Sequence, residues 1–212
     1  MAKPSAKRLQ HHLDMVAYDK QYETFGVSLA GMDEVGRGPL CGNVVTACVI
    51  MPSEPLFPWI DDSKKLSAAR REEVYEQIMA SAIYVSIGEA SPEEIDLMNI
   101  LNATKLAMER AAMNAPASLC IVDAVRDLHL PFPISPIIKG DSTSYNVAAA
   151  SIVAKVTRDR EMARMAELHP EYGFERNMGY GTAEHIQALR TYGPTPFHRR
   201  SFIRNFVGEA DT

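Results

Sequence analysis

The chain has 212 residues, 46% apolar and 23% charged, with a formal net charge of −5. That balance suits one substantial core with at most a small appendage, and it excludes a fibrous or disordered chain and an indiscriminate coat on nucleic acid. Cys41, Cys48 and Cys120 show no C-x-x-C spacing, so neither a zinc site nor a disulfide framework is indicated, and no run has the ~20 apolar residues of a membrane span or the apolar core of an export signal. Reduced, buried thiols in a cytoplasmic protein are expected.

Residues 1–25 read as a polar helical arm with Leu9, Leu13 and Val16 at helical spacing, punctuated by Phe25-Gly26. Val27 to Met32 alternates like a buried strand, which places Asp33 and Glu34 where that strand meets solvent. Val44 to Met51 is a β-branched run suited to a strand covered on both faces, ending at Pro52. Beyond Asp61-Asp62-Ser63-Lys64-Lys65, Ser67 can cap a helix presenting Val74, Ile78 and Met79. Ile83, Val85 and Ile87 alternate as a third strand. Ser91-Pro92-Glu93-Glu94 has capping-box spacing and opens a helix with Ile100, Thr104, Ala107, Met108 and Ala111 on one face. The two helical stretches read as a crossover.

Leu119 to Asp123 is a short apolar run ending in a carboxylate, like the first. Ile134 to Ile138 contains Pro136, so it is expected at a sheet edge. Lys139-Gly140-Asp141 leads into an alanine-rich buried helix expected from Ser142, with Asp141 at its N-terminus. From Leu168 onward the chain is aromatic, glycine-rich and basic, and reads as helix, loop, helix. The expected division is an arm over 1–25, an α/β catalytic domain over 26–167 and a helical extension over 168–212. Lys155, Arg158, Arg160, Arg164, Arg176, Arg190, Arg199, Arg200 and Arg204 crowd the last quarter of the chain and leave room for a local basic face despite the acidic total.

Asp33 with Glu34, Asp123 and Asp141 each end a strand or open the helix after one, and such ends gather at one edge of an open α/β sheet. Carboxylates without histidine or cysteine suit a hard cation, and two ions could clamp an in-line phosphodiester hydrolysis. The same acids also read as solvated strand ends, with Asp141 a helix cap. Gly36-Arg37-Gly38 offers bare backbone and a guanidinium for a phosphate, or an ordinary tight turn. It is no P-loop, since no Gly-Lys-Ser/Thr follows. Gly140-Asp141-Ser142 resembles the start of a serine-hydrolase motif, yet the late Asp-x-x-His that motif needs is missing.

Asp33-Glu34-Val35-Gly36-Arg37-Gly38-Pro39, Asp62-Ser63-Lys64-Lys65-Leu66, Lys139-Gly140-Asp141 with Ala148 to Lys155, and Asn177-Met178-Gly179-Tyr180-Gly181-Thr182 together resemble ribonuclease HII, from about Gly31 to Phe202. The resemblance implies a ribonuclease H-like fold, a mixed five-stranded sheet flanked by helices with a helical C-terminal extension. It implies Mg²⁺- or Mn²⁺-dependent hydrolysis of the RNA strand of RNA–DNA hybrids. It also implies cutting 5′ to single ribonucleotides in duplex DNA, leaving 3′-hydroxyl and 5′-phosphate ends. Its catalytic and metal-holding acids fall on Asp33, Glu34, Asp123 and Asp141, and its substrate elements on Gly36, Arg37, Gly38 and Tyr180. Backbone at the two glycines can sense a 2′-hydroxyl, and the Tyr180 ring can pack on the next sugar, although an aromatic packed between helices fits that position too. Lys64, Lys65, Arg199 and Arg200 are candidate phosphate contacts. Ala124 replaces the family's usual glycine and Met178 a common lysine, departures that bear on substrate affinity. The expected partners are hybrid and ribonucleotide-containing duplex DNA, acted on by a monomer with no membrane, and a replication or repair protein is open as a further partner. A non-catalytic hybrid-binding module is the alternative, and it would tolerate amides in place of the acids. The arm is too short to be the N-terminal substrate-binding domain of the related ribonuclease HIII.

Overall fold

Two apolar runs, one alternating and one continuous, build the middle of a sheet. In the computed structural model, which describes residues 4–23, 26 and 28–207, helix α1 (Ala6–Glu23) precedes strands β1 (Leu29–Val35) and β2 (Val44–Ile50). A 3-10 turn at Ser63–Lys65 leads to α2 (Ala68–Ser81), β3 (Tyr84–Ala90), α3 (Pro92–Ala112), β4 (Leu119–Asp123) and β5 (Ile134–Ile137). A second 3-10 turn at Gly140–Ser142 precedes α4 (Tyr145–Leu168), and α5 (Phe174–Asn177), α6 (Ala183–Tyr192) and α7 (Arg200–Ile203) follow. Phe25 and Val27, expected to end the arm and start the first strand, lie outside the described residues. No helix among the described residues is long and apolar enough to cross a membrane.

The strand order is β3-β2-β1-β4-β5, with β2 antiparallel to β1 and β3, and β4 parallel to β1 and β5. This is the mixed five-stranded sheet that the family resemblance implies. Pro136 sits on the edge strand, where a missing N–H spoils no second ladder. Since β2 and β3 are antiparallel, the segment carrying α2 is no crossover, contrary to expectation. Only α3 crosses the sheet, from β3 to the parallel β4.

Every residue of β2 is buried, because both faces of the sheet are covered. Ala47 and Val49 pack with α4 and α2, while Cys48 and Ile50 pack with Met108, Ala111 and Ala112 of α3. Beneath α4 the backbones nearly touch. A Cβ on Gly31 would lie 2.3 Å from the carbonyl carbon of Asn146 and the nitrogen of Val147, so only glycine admits the start of α4 this close to β1. The C-terminal helices pack Phe174, Leu189 and Ile203 on Met162 and Met165 of α4 and on Leu40 and Cys41.

Several expected details are corrected. The buried side of α1 carries His12, Met15, Val16 and Asp19, whereas Leu9 and Leu13 are 40% and 39% exposed. Polar contacts set that rotation: Asp19 accepts the backbone and side-chain N–H groups of Asn146, each at 2.9 Å, and the His12 ring stands edge-on to Tyr145. Helix α4 starts at Tyr145, not Ser142, because Ser144 caps it by accepting the Val147 N–H at 3.3 Å. Ile83, just before β3, Ile87 on that edge strand and Met79 on the exposed flank of α2 face solvent. The Ser67 cap and the Ser91–Glu94 capping box form as the sequence predicts.

The departure at Ala124 has a structural signature. Its φ is 55°, in the left-handed region that favours glycine, and its N–H is held by the carbonyl of Ile137 at 2.9 Å. A non-glycine residue there carries strain of ~1–2 kcal/mol, partly offset by glycine's greater freedom when unfolded. Ala124→Gly is therefore expected to raise the unfolding free energy by up to ~1 kcal/mol in urea titrations. An unchanged or lower midpoint would refute the strain.

Candidate active site

The sheet register brings the acids together. Met32 pairs with Val122 in the parallel β1–β4 ladder, so Asp33 and Asp123 come next on neighbouring strands, at the carboxyl end of each. The Gly140 N–H donates to Asp123 Oδ1 at 3.1 Å, drawing the second 3-10 turn and Asp141 against the same edge. Glu34 follows on β1 and places Oε1 3.3 Å from Arg37 Nη1. The sequence puts the first two acids where the strand meets solvent, but β1 runs on to Val35 and Asp33 is buried. Neighbouring strands on both sides bury it.

Burial and repulsion from neighbouring acids hold Asp33, Glu34 and Asp141 toward their neutral forms. Desolvation first, then the charges of Glu34, Asp123 and Asp141, push the Asp33 carboxyl well above its ordinary value. Glu34 is raised by burial against the opposing pull of Arg37. Asp141 is raised by burial and by Asp62, with Lys64 opposing. Burial works against the Lys64 charge, yet Asp141, Asp62, Asp33 and Asp123 outweigh it and raise the amine. Lys64 Nζ lies 3.7 Å from Asp141 Oδ2 on an otherwise exposed side chain. The buried Glu34 Oε2 has no hydrogen-bond partner. An all-oxygen set with raised proton affinity and one orphaned lone pair fits a hard divalent cation.

Gly36-Arg37-Gly38 leaves the end of β1 as a turn with Gly36 at φ 91°, where a Cβ would meet the Arg158 side chain at 2.5 Å and the Asn43 carbonyl at 2.8 Å. A Cβ on Gly38 would touch the Tyr180 ring at 3.5 Å, so this turn and Tyr180 share one surface. Tyr180 is 48% exposed and not packed between helices. The Arg37 side chain is 45% exposed beside Glu34.

Arg199 corrects the sequence reading. It is fully buried and donates to the carbonyls of Gly36, Arg37, Pro39 and, twice, Gly42, so no donor is left for a substrate phosphate. It is the support of the glycine turn. Arg158, read with the basic face, is buried likewise and donates to the carbonyls of Asn43, Cys41 and Met178. The Arg200 backbone N–H donates to Asp96 at 2.7 Å, and Lys65 Nζ is 2.9 Å from Asp61 Oδ1. Of the four expected phosphate contacts, Lys64 is the one the structure brings to the acids. Ser142 donates its hydroxyl to Asp141, not to a histidine base.

Sequence reasoning missed a buried imidazole pair behind Tyr180. The Thr195 N–H donates to His198 Nδ1 at 2.9 Å, so the His198 proton sits on Nε2 and is given to His185 Nε2, also 2.9 Å away. His185 then carries its own proton on Nδ1 and donates it to the Tyr180 carbonyl at 2.9 Å. Burial lowers His198 to about 3 and lowers His185 as well, which keeps both rings neutral and the chain of donors intact. Cys41 lies close enough to complete a soft-metal donor set with them. That set is spoken for: the two Nε2 atoms face each other, burial pushes the thiol up to about 12, and Arg158 and Arg199 stand beside it. No spacing in the chain points to this pair, because its members meet only through the fold of the last 30 or so residues.

The sequence profile described as Ribonuclease HII matches residues 30–205. The chain is 49% identical over 197 residues to ribonuclease HII of Bacillus cytotoxicus, covering 91% of this chain and 75% of that one. It superposes on ribonuclease H2 from Pyrococcus horikoshii with a TM-score of 0.69 at 27% identity, over 84% of this chain and 96% of that one. The ribonuclease HII of a PCNA complex from Archaeoglobus fulgidus gives 0.69 at 26%, over 82% and 94%.

Carboxyls raised by burial favour the protonated folded state, so their contribution to stability is complete below the ordinary carboxylate value and is lost as pH rises through the raised one. Metal-free Asp33→Asn is therefore expected to unfold at a higher temperature than the parent chain near neutral pH, by roughly 1 kcal/mol or more, with a shallower decline as pH rises. Thermal melts in chelator across pH 4 to 8 read this. A lower midpoint for the variant would remove the repulsion argument.

Proposed function

The chain belongs to the ribonuclease HII family and is a nuclease of the hydrolase class, and from that premise we propose that it cuts on the 5′ side of ribonucleotides in hybrids and in duplex DNA. The observation that carries the reading is the group of carboxylates Asp33, Glu34, Asp123 and Asp141 at one sheet edge beside a glycine-flanked arginine, with Asp33, Glu34 and Asp141 raised by burial and by neighbouring acids. These four would hold Mg²⁺ or Mn²⁺. A bound divalent ion supplies Lewis acidity and eases deprotonation of an attacking water.

The chain's own groups do the positioning. Arg37 neutralises the phosphate beside the ribonucleotide, while its contact with Glu34 ties that grip to the acids. Backbone at Gly36 and Gly38 lies close to the sugar and meets a 2′-hydroxyl, which both donates and accepts. Tyr180, next to Gly38 across the same surface, packs on the following sugar and favours one lacking a 2′-oxygen. Lys64 offsets the negative charge at Asp141 and takes part in holding the strand. A replication or repair protein as partner is part of the proposal, on the ground that the Archaeoglobus fulgidus relative is described in complex with PCNA. The buried free cysteines favour a cytoplasmic setting.

Incubation with duplex DNA carrying one ribonucleotide and with a full hybrid, each with Mg²⁺, with Mn²⁺ and with chelator, tests this. Cleavage 5′ to the ribonucleotide is expected with metal only, leaving 3′-hydroxyl ends. Asp33→Asn and Asp123→Asn should reduce turnover by at least about 10³-fold while retaining hybrid binding, and Arg37→Ala should weaken binding by about tenfold. Full cleavage by either Asn variant would sink the assignment of the acids.

A further inference from the structure

A cationic groove lies beside the turn that carries Lys64. It holds about 460 Å³ and is lined by Ser5, Lys7, Arg8 and His11 from the start of α1, with Asp61 and Lys65 facing them. Three side chains converge there on one carboxylate: Arg8 Nη1 lies 3.3 Å from Asp61 Oδ2, and Lys65 Nζ and His11 Nε2 lie 2.9 and 3.3 Å from Oδ1. The Asp61 side chain is only 6% exposed, so it forms the floor. Arg8, Lys65 and Lys7 form the rim.

The charge does not balance. Lys7, Arg8 and Lys65 set three full positive charges against the single acid of the lining, in a chain whose total is −5. One buried carboxylate offsets a single cation, so the remaining positive charge of the rim is uncompensated within the groove and its members repel one another. Such an excess serves an anion from outside. Two further features stiffen the rim. The guanidinium carbons of Arg8 and Arg70 lie 4.7 and 4.3 Å from the centre of the Trp59 ring, and Arg70 is itself anchored by Glu73 at 2.7 Å. Guanidiniums stacked on an aromatic ring lose little freedom when they bind a phosphate.

Position decides which anion. Lys64 and Lys65 are consecutive, and while Lys65 reaches into the groove, Lys64 reaches Asp141 at 3.7 Å. The same turn thus borders both the acids and the groove, which places the two within reach of one strand. We propose that the groove between α1 and the Asp61–Lys65 turn is a second nucleic-acid site, gripping a backbone phosphate of the strand whose ribonucleotide lies at the carboxylates. Helix α1 ends before residue 30, where the match to the family profile begins, so this contact adds an element that the matched segment does not contain. The inference rests on the proposed function for the identity of the strand.

Trp59 is the only tryptophan of the chain and stacks on Arg8 of the groove, so its fluorescence reports a change at that arginine. In chelator, a short RNA–DNA hybrid is expected to change Trp59 emission saturably, and inorganic phosphate over the same concentration range is not. With Mg²⁺, Lys7→Gln combined with Arg8→Gln should raise KM about tenfold with kcat unchanged, and the slope of log affinity against log salt should fall by about one. Lys7→Gln alone, at an exposed position, should show a smaller rise, and Arg8→Lys should stay near the parent value. Variants that keep the parent KM and salt slope overturn the proposal, as does an emission change driven equally by phosphate. A parent chain that cuts no ribonucleotide substrate defeats the proposed function instead, and hybrid binding lost in the double variant would then still support the groove.

Discussion

The buried guanidinium of Arg199 is the constraint on which the site depends. Its five N–H donors are met by backbone carbonyls of the segment from Gly36 to Gly42, with no carboxylate among them. A charge removed from water is tolerable only if its donors are met, and here the carbonyl dipoles of one loop meet them all. The arginine and the loop thereby fix each other. Burial and the neighbouring Arg158 lower its pKa to about 10, still far enough above neutrality to keep it charged. Arg158 extends the same device to the carbonyls of Cys41, Asn43 and Met178, so the glycine turn and the loop before Tyr180 hang from two adjacent cations.

That arrangement explains how a glycine-rich turn can be exact in position without side chains of its own. Glycines at positions 36 and 38 leave backbone exposed to a ligand, but they also leave the chain mobile unless something else fixes it. The fixing comes from behind: guanidiniums on one side, and on the other the neutral His198–His185 chain that ends on the Tyr180 carbonyl. Neutrality matters there, because a proton added to either ring turns an acceptor into a donor and breaks the series. Burial of both rings, and for His198 the neighbouring His185, suppresses that proton.

The acids obey the opposite logic. Their register on parallel strands forces Asp33 and Asp123 side by side, and the fold tolerates their repulsion because sheet and helices hold the backbone irrespective of charge. Stability is surrendered at the sheet edge and recovered in the apolar layers beneath α3 and α4. Positive charge is distributed around that edge, with Lys64 at Asp141, Arg37 at Glu34 and the Arg8–Lys65 groove beyond.

Local chemistry made much of this legible in the sequence. The continuous apolar run of β2, the proline on edge strand β5, the Ser67 cap and the Ser91–Glu94 box depend on neighbours within a few residues, and each forms as read. The strand-end acids and the glycine turn were likewise visible as motifs. What the sequence left undetermined depends on groups far apart in the chain. Leu9 and Leu13 look like the inner face of α1 until Asp19 finds the N-terminus of α4, more than a hundred residues away, and turns the helix. Arg199 reads as a surface phosphate contact because an arginine's sequence neighbours do not reveal whether carbonyls or water will surround it. His185 and His198 carry no spacing signal, since a hydrogen bond between two rings needs only that their loops meet. Residue types and short spacings set the elements and the chemistry available; the tertiary structure alone decided which charges are buried as supports and which face a substrate, because burial is a property of packed surfaces and not of neighbours along the chain.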